Sequence, residues 1–226
     1  HQHLKLVDVF TAAENIVLGL KGSVCIDRKK LVAQIHEIAE KYGFEIDPQK
    51  KIYDMAISEK QTVEIIKTLY RGANILILDE PTSALDISIQ AQVLNMLLNI
   101  QRQLDLTYVI ISHDLNVVRY ISDYIAVMYL GKLMEYGSAE DVFFQPKHPY
   151  TKGLMAATPI TDPALRSDRP LLFSGEPSSV MNIEEGCRLA PRCPYAEECC
   201  RKKTPDLYNL GGEHYVACYR ESFLAK

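Results

Sequence analysis

The run Ile75-Leu76-Ile77-Leu78, bounded by Gly72 and Pro81, is followed at once by Asp79-Glu80. Four apolar residues between two chain breakers read as a strand buried on both faces. Such strands belong to parallel sheets covered by helices, so the expected fold class is α/β. The two carboxylates fall at the strand's C-terminal end, where open α/β sheets bind ligands. Desolvating adjacent acids is costly unless a cation or a reaction uses them. Taken alone, the pair reads as a strand running into a solvated acidic turn. Its continuation, Pro81-Thr82-Ser83-Ala84-Leu85-Asp86, changes that reading.

Taken whole, LILDEPTSALD resembles the Walker B motif and D-loop of ABC-transporter ATPase subunits. In P-loop NTPases an acid at this place holds Mg²⁺, directly or through water, and a second can activate the attacking water. The resemblance therefore implies Asp79 as the Mg²⁺ ligand and Glu80 as general base for ATP hydrolysis. It implies the loop from Ser83 to Asp86 as the part that meets the opposite subunit of a dimer. Downstream, Ser88 to Gln103 reads as a helix with Val93, Leu94, Leu97 and Leu98 apolar, and Thr107 to Ile111 as a second buried strand. Strand, helix and strand of this length make a parallel right-handed crossover. That crossover brings Ser112-His113-Asp114 beside Asp79 and Glu80. The frame ISHDLNVV resembles the ABC H-loop, which implies that His113 meets the γ-phosphate and orients the water and Glu80.

Upstream, Gln2 stands where the Q-loop glutamine of such a domain would stand, touching Mg²⁺ or the attacking water; the bland alternative is a polar terminal residue. His1 and His3 flank it and read as surface residues. Thr11 to Leu20 and Asp27 to Tyr42 read as helices, the second with Leu31, Val32, Ile35, Ile38 and Ala39 on one face, Asp27 as N-cap and Gly43 as stop. In the family such a helical subdomain contacts the membrane partner. Another helix begins near Ser58, buries Val63, Ile66 and Leu69, and ends at Gly72. Its start matches the position of the ABC signature, LSGGQ, in degenerate form: Ala56 replaces the Ser and Ser58 a Gly. A helix N-terminus can cradle phosphate, which makes Ser58 a candidate nucleotide contact; an ordinary helix start is the equal alternative. This first third resembles the sugar- or nucleoside-importer branch, so the chain reads as two branches joined near the Walker B strand.

The 226 residues contain no G-x-x-x-x-G-K-[ST], the loop whose backbone N–H groups and Lys hold phosphates. The one Gly-Lys pair, Gly131-Lys132, is followed by Leu133. Residue 1 is His, and the expectation is a fragment whose phosphate loop would precede it. The chain as given is expected to bind ATP weakly without turnover. The rival reading is a non-hydrolytic assembly module.

Tyr124 to Tyr129 and Lys132 to Tyr136 read as two strands around Gly131, and Ser138 with Asp141 as a helix start. From Gln145, prolines at 146, 149, 159, 163, 170 and 177 punctuate a loop-rich tail. PKHPYTKGLMAATP and the stretch after it resemble the C-terminal extension of oligopeptide- and dipeptide-importer ATPases. Six Cys are present, five of them from Cys187 onward, which suggests a metal site in a reducing compartment more than a disulfide framework. Cys187, Cys193, Cys200 and Cys218 follow C-x5-C-x6-C and a distant fourth, wider than the usual zinc pairs. The resemblance implies an iron–sulfur cluster, [4Fe–4S], with zinc second; reduced thiols without metal are the bland alternative. Cys199 is a spare neighbour, and Cys25 reads as a buried thiol.

The domain reading is a Q-loop and helical subdomain over 1–72, a Walker B and H-loop core over 73–144, and an extension over 145–226. Net charge is −4 with no basic stripe, which argues against nucleic acid. No apolar run is long enough to span a bilayer. The resemblance implies a peripheral subunit on the cytoplasmic face of the membrane. Its expected partners are permease subunits, a second ATPase subunit (the same chain or another) and, indirectly, a solute-binding protein. Oligopeptide or dipeptide import is the expected function, with sugar or nucleoside import as the alternative.

Overall fold

The computed structural model describes residues 6–20, 27–83, 85–157, 173 and 185–224, and the chain divides into two compact units, residues 1–117 and 118–226. The first unit opens with helices. α1 (Ala12–Val17) starts in a reciprocal capping box: the Thr11 hydroxyl accepts from Glu14 N–H at 3.2 Å, and Glu14 Oε2 accepts from Thr11 N–H at 2.9 Å. It stops short of Leu20 because Leu18 is extended and Gly19 has φ 83°. α2 (Arg28–Tyr42) is capped by Asp27, which accepts from Lys29 and Lys30 N–H, and closed by Gly43 at φ 70°. Leu31, Ile35 and Ala39, one helical turn apart, are its buried stripe. α3 (Ile57–Tyr70) buries Val63, Ile65 and Ile66. α1, α2 and α3 pack on one another.

β1 (Ile75–Asp79), α4 (Ile87–Leu104) and β2 (Thr107–Ile111) come next, and the two strands pair in parallel from Ile75↔Thr107 to Asp79↔Ile111. The expected crossover is there, but the expectation of strands buried on both faces fails. Leu76 is the buried residue of β1, whereas Ile75 and Ile77 are 62% and 70% exposed, and Val109 and Ile111 of β2 are exposed too. Alternation sends successive side chains to opposite faces. One face turns toward α4, where Tyr108 donates its hydroxyl to Leu97 O at 2.9 Å. The other presents its isoleucines and valine, and among the described residues this sheet has only these two strands. Unbroken apolarity in the sequence marks a strand able to be covered twice; the second cover is not set by the strand itself.

α5 (Leu115–Ile121) runs across the division of the chain. In the second unit β3 (Tyr124–Tyr129) and β4 (Lys132–Ser138, two residues longer than the pattern suggests) form a hairpin. Leu130 and Gly131 both have positive φ, 46° and 74°, as a tight hairpin turn requires. α6 (Ala139–Phe144) starts at Ser138, whose hydroxyl accepts from Asp141 N–H at 3.1 Å and donates to Asp141 Oδ2 at 2.7 Å. α7 (Pro149–Ala157), α8 (Glu198–Lys202), β5 (Tyr208–Asn209), β6 (Tyr215–Val216) and α9 (Tyr219–Leu224) follow. The tail is thus more than loops: β6 pairs with β4, giving the antiparallel order β3-β4-β6-β5. Ile125, Val127 and Val142 form one core cluster of this unit, and Tyr129, Met134 and Leu189 another. No helix among the described residues is long and apolar enough to cross a membrane.

Candidate functional site

The parallel register sets the site in the first unit. Asp79 ends β1 opposite Ile111, exposed at the strand's C-terminal end, and Glu80 N–H donates to Ile111 O at 2.9 Å. Glu80 has φ 50°, a left-handed conformation that residues with a Cβ rarely adopt and that costs about 1–2 kcal/mol. Such strain concentrates where the surrounding structure holds a side chain in one place. Here the Glu80 carboxylate meets the loop after β2. Its Oε1 lies 2.6 Å from His113 Nδ1 and accepts the His113 backbone N–H at 3.1 Å. The hydrogen bond to Glu80, and then its charge, hold the His113 pKa above the ordinary imidazole value. With Nδ1 committed to Glu80, Nε2 is the ring nitrogen left to meet a ligand.

Neighbours brace both loops. Ser83 sends its N–H (3.4 Å) and its hydroxyl (3.1 Å) to Glu80 O, and Gln61 of α3 donates to Pro81 O at 3.1 Å. Gln90 of α4 donates to Thr82 Oγ1 at 3.2 Å and to Asp114 Oδ2 at 3.5 Å. Asp114 in turn caps α5 through Asn116 N–H at 2.9 Å. Asp86 caps α4 by accepting from Ile89 N–H at 2.9 Å. Ser58 is the second residue of α3, whose N-cap Ala56 offers no side-chain acceptor to the first-turn N–H groups. Gln2, with His1 and His3, lies outside the described residues. Glu80 and His113 are therefore brought together, Asp79 lies beside them, and Asp86 and Ser58 sit at the starts of α4 and α3.

In the second unit Cys187, Cys193, Cys200 and Cys218 line one cavity of ≈ 20 Å³ together with His148, Leu189 and Tyr195. Cys187 N–H donates to Cys200 O at 2.7 Å, which ties two of the thiol-bearing segments. Gly186 makes that approach possible: it has φ 99°, and a Cβ there would stand 2.4 Å from Cys200 O. Burial pushes the Cys187 thiol up to about 11, and raises Cys193 and Cys218 as well, with neighbouring thiols adding to the rise at Cys187 and Cys193. Thiols gathered in one buried place suit a cationic centre, which would deprotonate them. Among the described residues, however, no group of three or more His, Cys, Asp or Glu is arranged to hold a metal ion. Cys199 adjoins Cys200 in α8, and Cys25 lies outside the described residues.

A buried polar cluster in this unit has no sequence signal. Glu135 of β4, fully buried, accepts Lys147 N–H (2.8 Å) on Oε1 and His148 N–H (2.9 Å) on Oε2, and its Oε1 lies 2.7 Å from His214 Nε2. His148, 1% exposed, accepts Tyr150 N–H on Nδ1 at 3.0 Å, and burial pushes its pKa down to about 4. Gln61, Gln90 and Glu135 are not legible in the sequence because each acts through partners distant along the chain.

Comparison with known proteins finds relatives for both parts of the chain. The ABC transporter family model matches residues 1–83, and the model of the oligopeptide/dipeptide transporter, C-terminal region, matches residues 134–200. The dipeptide transport ATP-binding protein DppF of Haemophilus influenzae is 38% identical over 206 residues, 91% of this chain and 62% of that protein. The oligopeptide transport ATP-binding protein OppF of the same organism is 44% identical over 161 residues, 71% of this chain and 48% of that protein. The corresponding AppF of Bacillus subtilis is 39% identical over 169 residues, 74% of this chain and 51% of that protein. The chain thus spans roughly half to three fifths of the length of these relatives. An alignment of 206 residues is longer than everything after residue 72, so likeness to a dipeptide ATPase reaches into the first third as well. Among solved structures, cbiO1 from Clostridium perfringens matches with TM-score 0.54 at 23% identity, over 62% of this chain and 55% of that one. The ATP-binding cassette MJ1267 matches with TM-score 0.53 at 19% identity, over 64% and 63%. At such identities these two speak to the fold alone.

Proposed function

We propose a function for a chain that belongs to the ATP-binding proteins of ABC transporters and carries the C-terminal region of their oligopeptide/dipeptide branch: it supplies the hydrolytic half of an ATPase site that powers import of short peptides. The observation that carries this reading is the 2.6 Å contact between Glu80 and His113 at the C-terminal ends of two parallel strands. Glu80 is the general base that takes a proton from the attacking water. His113, held by Glu80 through Nδ1, orients that base and offers Nε2 to a phosphoryl oxygen. Asp79, an oxygen donor at the strand end, fits Mg²⁺, which when bound would neutralise developing phosphate charge. Gln2, Ser58 and the Asp86 loop are the further nucleotide and dimer contacts of this reading. Residues 1–72, 73–144 and 145–226 are its helical, hydrolytic and extension parts.

The working assembly is two ATPase subunits under permease subunits, on the cytoplasmic face of the membrane, fed by a solute-binding protein. Peptides are the proposed substrate class because the relatives DppF and OppF are named for dipeptide and oligopeptide transport. The test is peptide-stimulated phosphate release in membranes, using these residues joined to the phosphate-loop half of a relative and its permease. Stimulation by di- or oligopeptides and not by sugars or nucleosides supports the reading; the reverse overturns the substrate class.

The finer part of the proposal concerns the cysteines. A [4Fe–4S] cluster binds each thiolate to a different iron, and so accepts four sulfurs set wider apart than those around one zinc ion. What supports a metal centre here is that Cys187, Cys193, Cys200 and Cys218 line one cavity. Its role is to brace the extension. Protein purified without oxygen is expected to be brown and to contain iron and sulfide; colourless protein with freely titratable thiols would remove the cluster from the account.

A further inference from the structure

Glu80 and His113 reside on separate loops, which meet directly at the 2.6 Å Glu80–His113 contact, at Glu80 N–H on Ile111 O (2.9 Å) and at His113 N–H on the Glu80 carboxylate (3.1 Å). A further side chain, contributed by neither loop, spans the two. Gln90 sits on the first turn of α4, its own N–H bonded to Asp86 O at 2.8 Å, so its position is set by a rigid helix. Its Nε2 reaches Thr82 Oγ1, two residues after Glu80, at 3.2 Å, and Asp114 Oδ2, one residue after His113, at 3.5 Å. A carboxylate only accepts, which fixes the amide nitrogen on the Asp114 side, and the two N–H groups of one amide suffice for two acceptors. Both anchors are themselves held. Thr82 is 3% exposed, and Asp114 is tied to the start of α5 by Asn116 N–H at 2.9 Å and to Ser112 Oγ through its own N–H at 3.1 Å.

We propose that Gln90 is a positioning residue: by bridging the turn after β1 to the loop after β2, it holds Glu80 and His113 in register. It touches no reacting atom and acts through Thr82 and Asp114. The inference rests on Glu80 and His113 being the working pair of the proposed function. A helix residue serves this task better than either loop could, because α4 moves as a unit and fixes both anchors at once. A glutamine is the residue type required. Glutamate in its place faces Asp114 with like charge, and methionine keeps the shape without the donors.

The test uses the 226-residue chain itself and needs no nucleotide. The imidazole resonances of His113 are assigned with His113→Gln and read by NMR at one fixed neutral pH. Glu80→Gln supplies the signature of an unpaired ring. Gln90→Met is expected to move the His113 resonances most of the way to that signature, and Gln90→Glu at least as far. The remaining resonances and the melting temperature stay at wild-type values. Ser88→Ala, exposed on the same helix turn, is expected to leave His113 unmoved. Wild-type His113 resonances in a folded Gln90→Met or Gln90→Glu overturn the proposal, as does a His113 signal that Glu80→Gln fails to move. Unfolding of both Gln90 variants would show a structural role and overturn it too. Whether the pair hydrolyses ATP is decided separately by phosphate release, so failure of one reading is distinct from failure of the other.

Discussion

Replacing Glu135 with leucine removes an acceptor on which three donors converge inside the second unit. Lys147 N–H, His148 N–H and His214 Nε2 lie at 2.8, 2.9 and 2.7 Å from its oxygens, and the side chain is fully buried. Each buried donor left without a partner costs about 1–3 kcal/mol. Relaxation and water entry lower the sum, so Glu135→Leu is expected to cost on the order of 3–5 kcal/mol, the range for breaking a buried pair from one side. That is a large share of the 5–15 kcal/mol, roughly, that holds a domain folded. Glu135→Gln is milder: the amide keeps one acceptor and turns its NH₂ toward one of the donors, costing about 1–3 kcal/mol. Glu140, exposed on α6, is the control, and Glu140→Gln should be silent. Urea unfolding followed by circular dichroism gives the differences, and hydrogen exchange should show the Lys147 and His148 amides opening first. A Glu135→Leu chain within about 0.5 kcal/mol of wild type, the scatter expected of surface changes, would refute the reasoning.

His148 gives a pH dependence with a defined sign. Burial lowers its folded pKa to about 4, below the ordinary value near 6.5, so the unfolded chain binds the extra proton between those limits. Stability of the metal-free second unit should therefore fall as pH drops from about 6.5 toward 4, by about 3 kcal/mol, and level off below; His148→Gln should flatten that slope in pH-dependent urea titrations. Gly186→Ala places a Cβ 2.4 Å from Cys200 O at a φ of 99°, so it is expected to destabilise by roughly 1–3 kcal/mol. It should also lower iron and sulfide content relative to wild type, and unchanged loading would show that the Cys187–Cys200 approach is not needed.

Elements governed by local chemistry are legible in the sequence. Asp27 and Gly43 bound α2 as their capping chemistry demands, and Leu130-Gly131 turns the hairpin. The β1–α4–β2 crossover is foreshadowed by two apolar runs and a helical stripe, and it carries Glu80 and His113 to one place. Burial of β1 is not legible, because an apolar run states what a strand tolerates and not what lies against it. β5 and β6, two residues each, are too short to show a period and exist through their pairing with β4. Gln90–Asp114 and Glu135–His214 join residues 24 and 79 positions apart, and no spacing rule announces such contacts. The cysteine set is legible only as a grouping: Cys187, Cys193, Cys200 and Cys218 line one cavity, while among the described residues no group of three or more His, Cys, Asp or Glu is arranged to hold a metal ion.

In the proposed function Glu80, oriented by His113, is the base that makes this fold hydrolyse ATP. Its direct test is the single-turnover rate of γ-phosphate cleavage, with nucleotide binding measured on the same sample, in these residues joined to the phosphate-loop half of a peptide-importer relative. Glu80→Gln is predicted to slow cleavage by about 10²–10⁴-fold while leaving ATP affinity unchanged. Near-normal cleavage by Glu80→Gln would remove Glu80 from the role of general base.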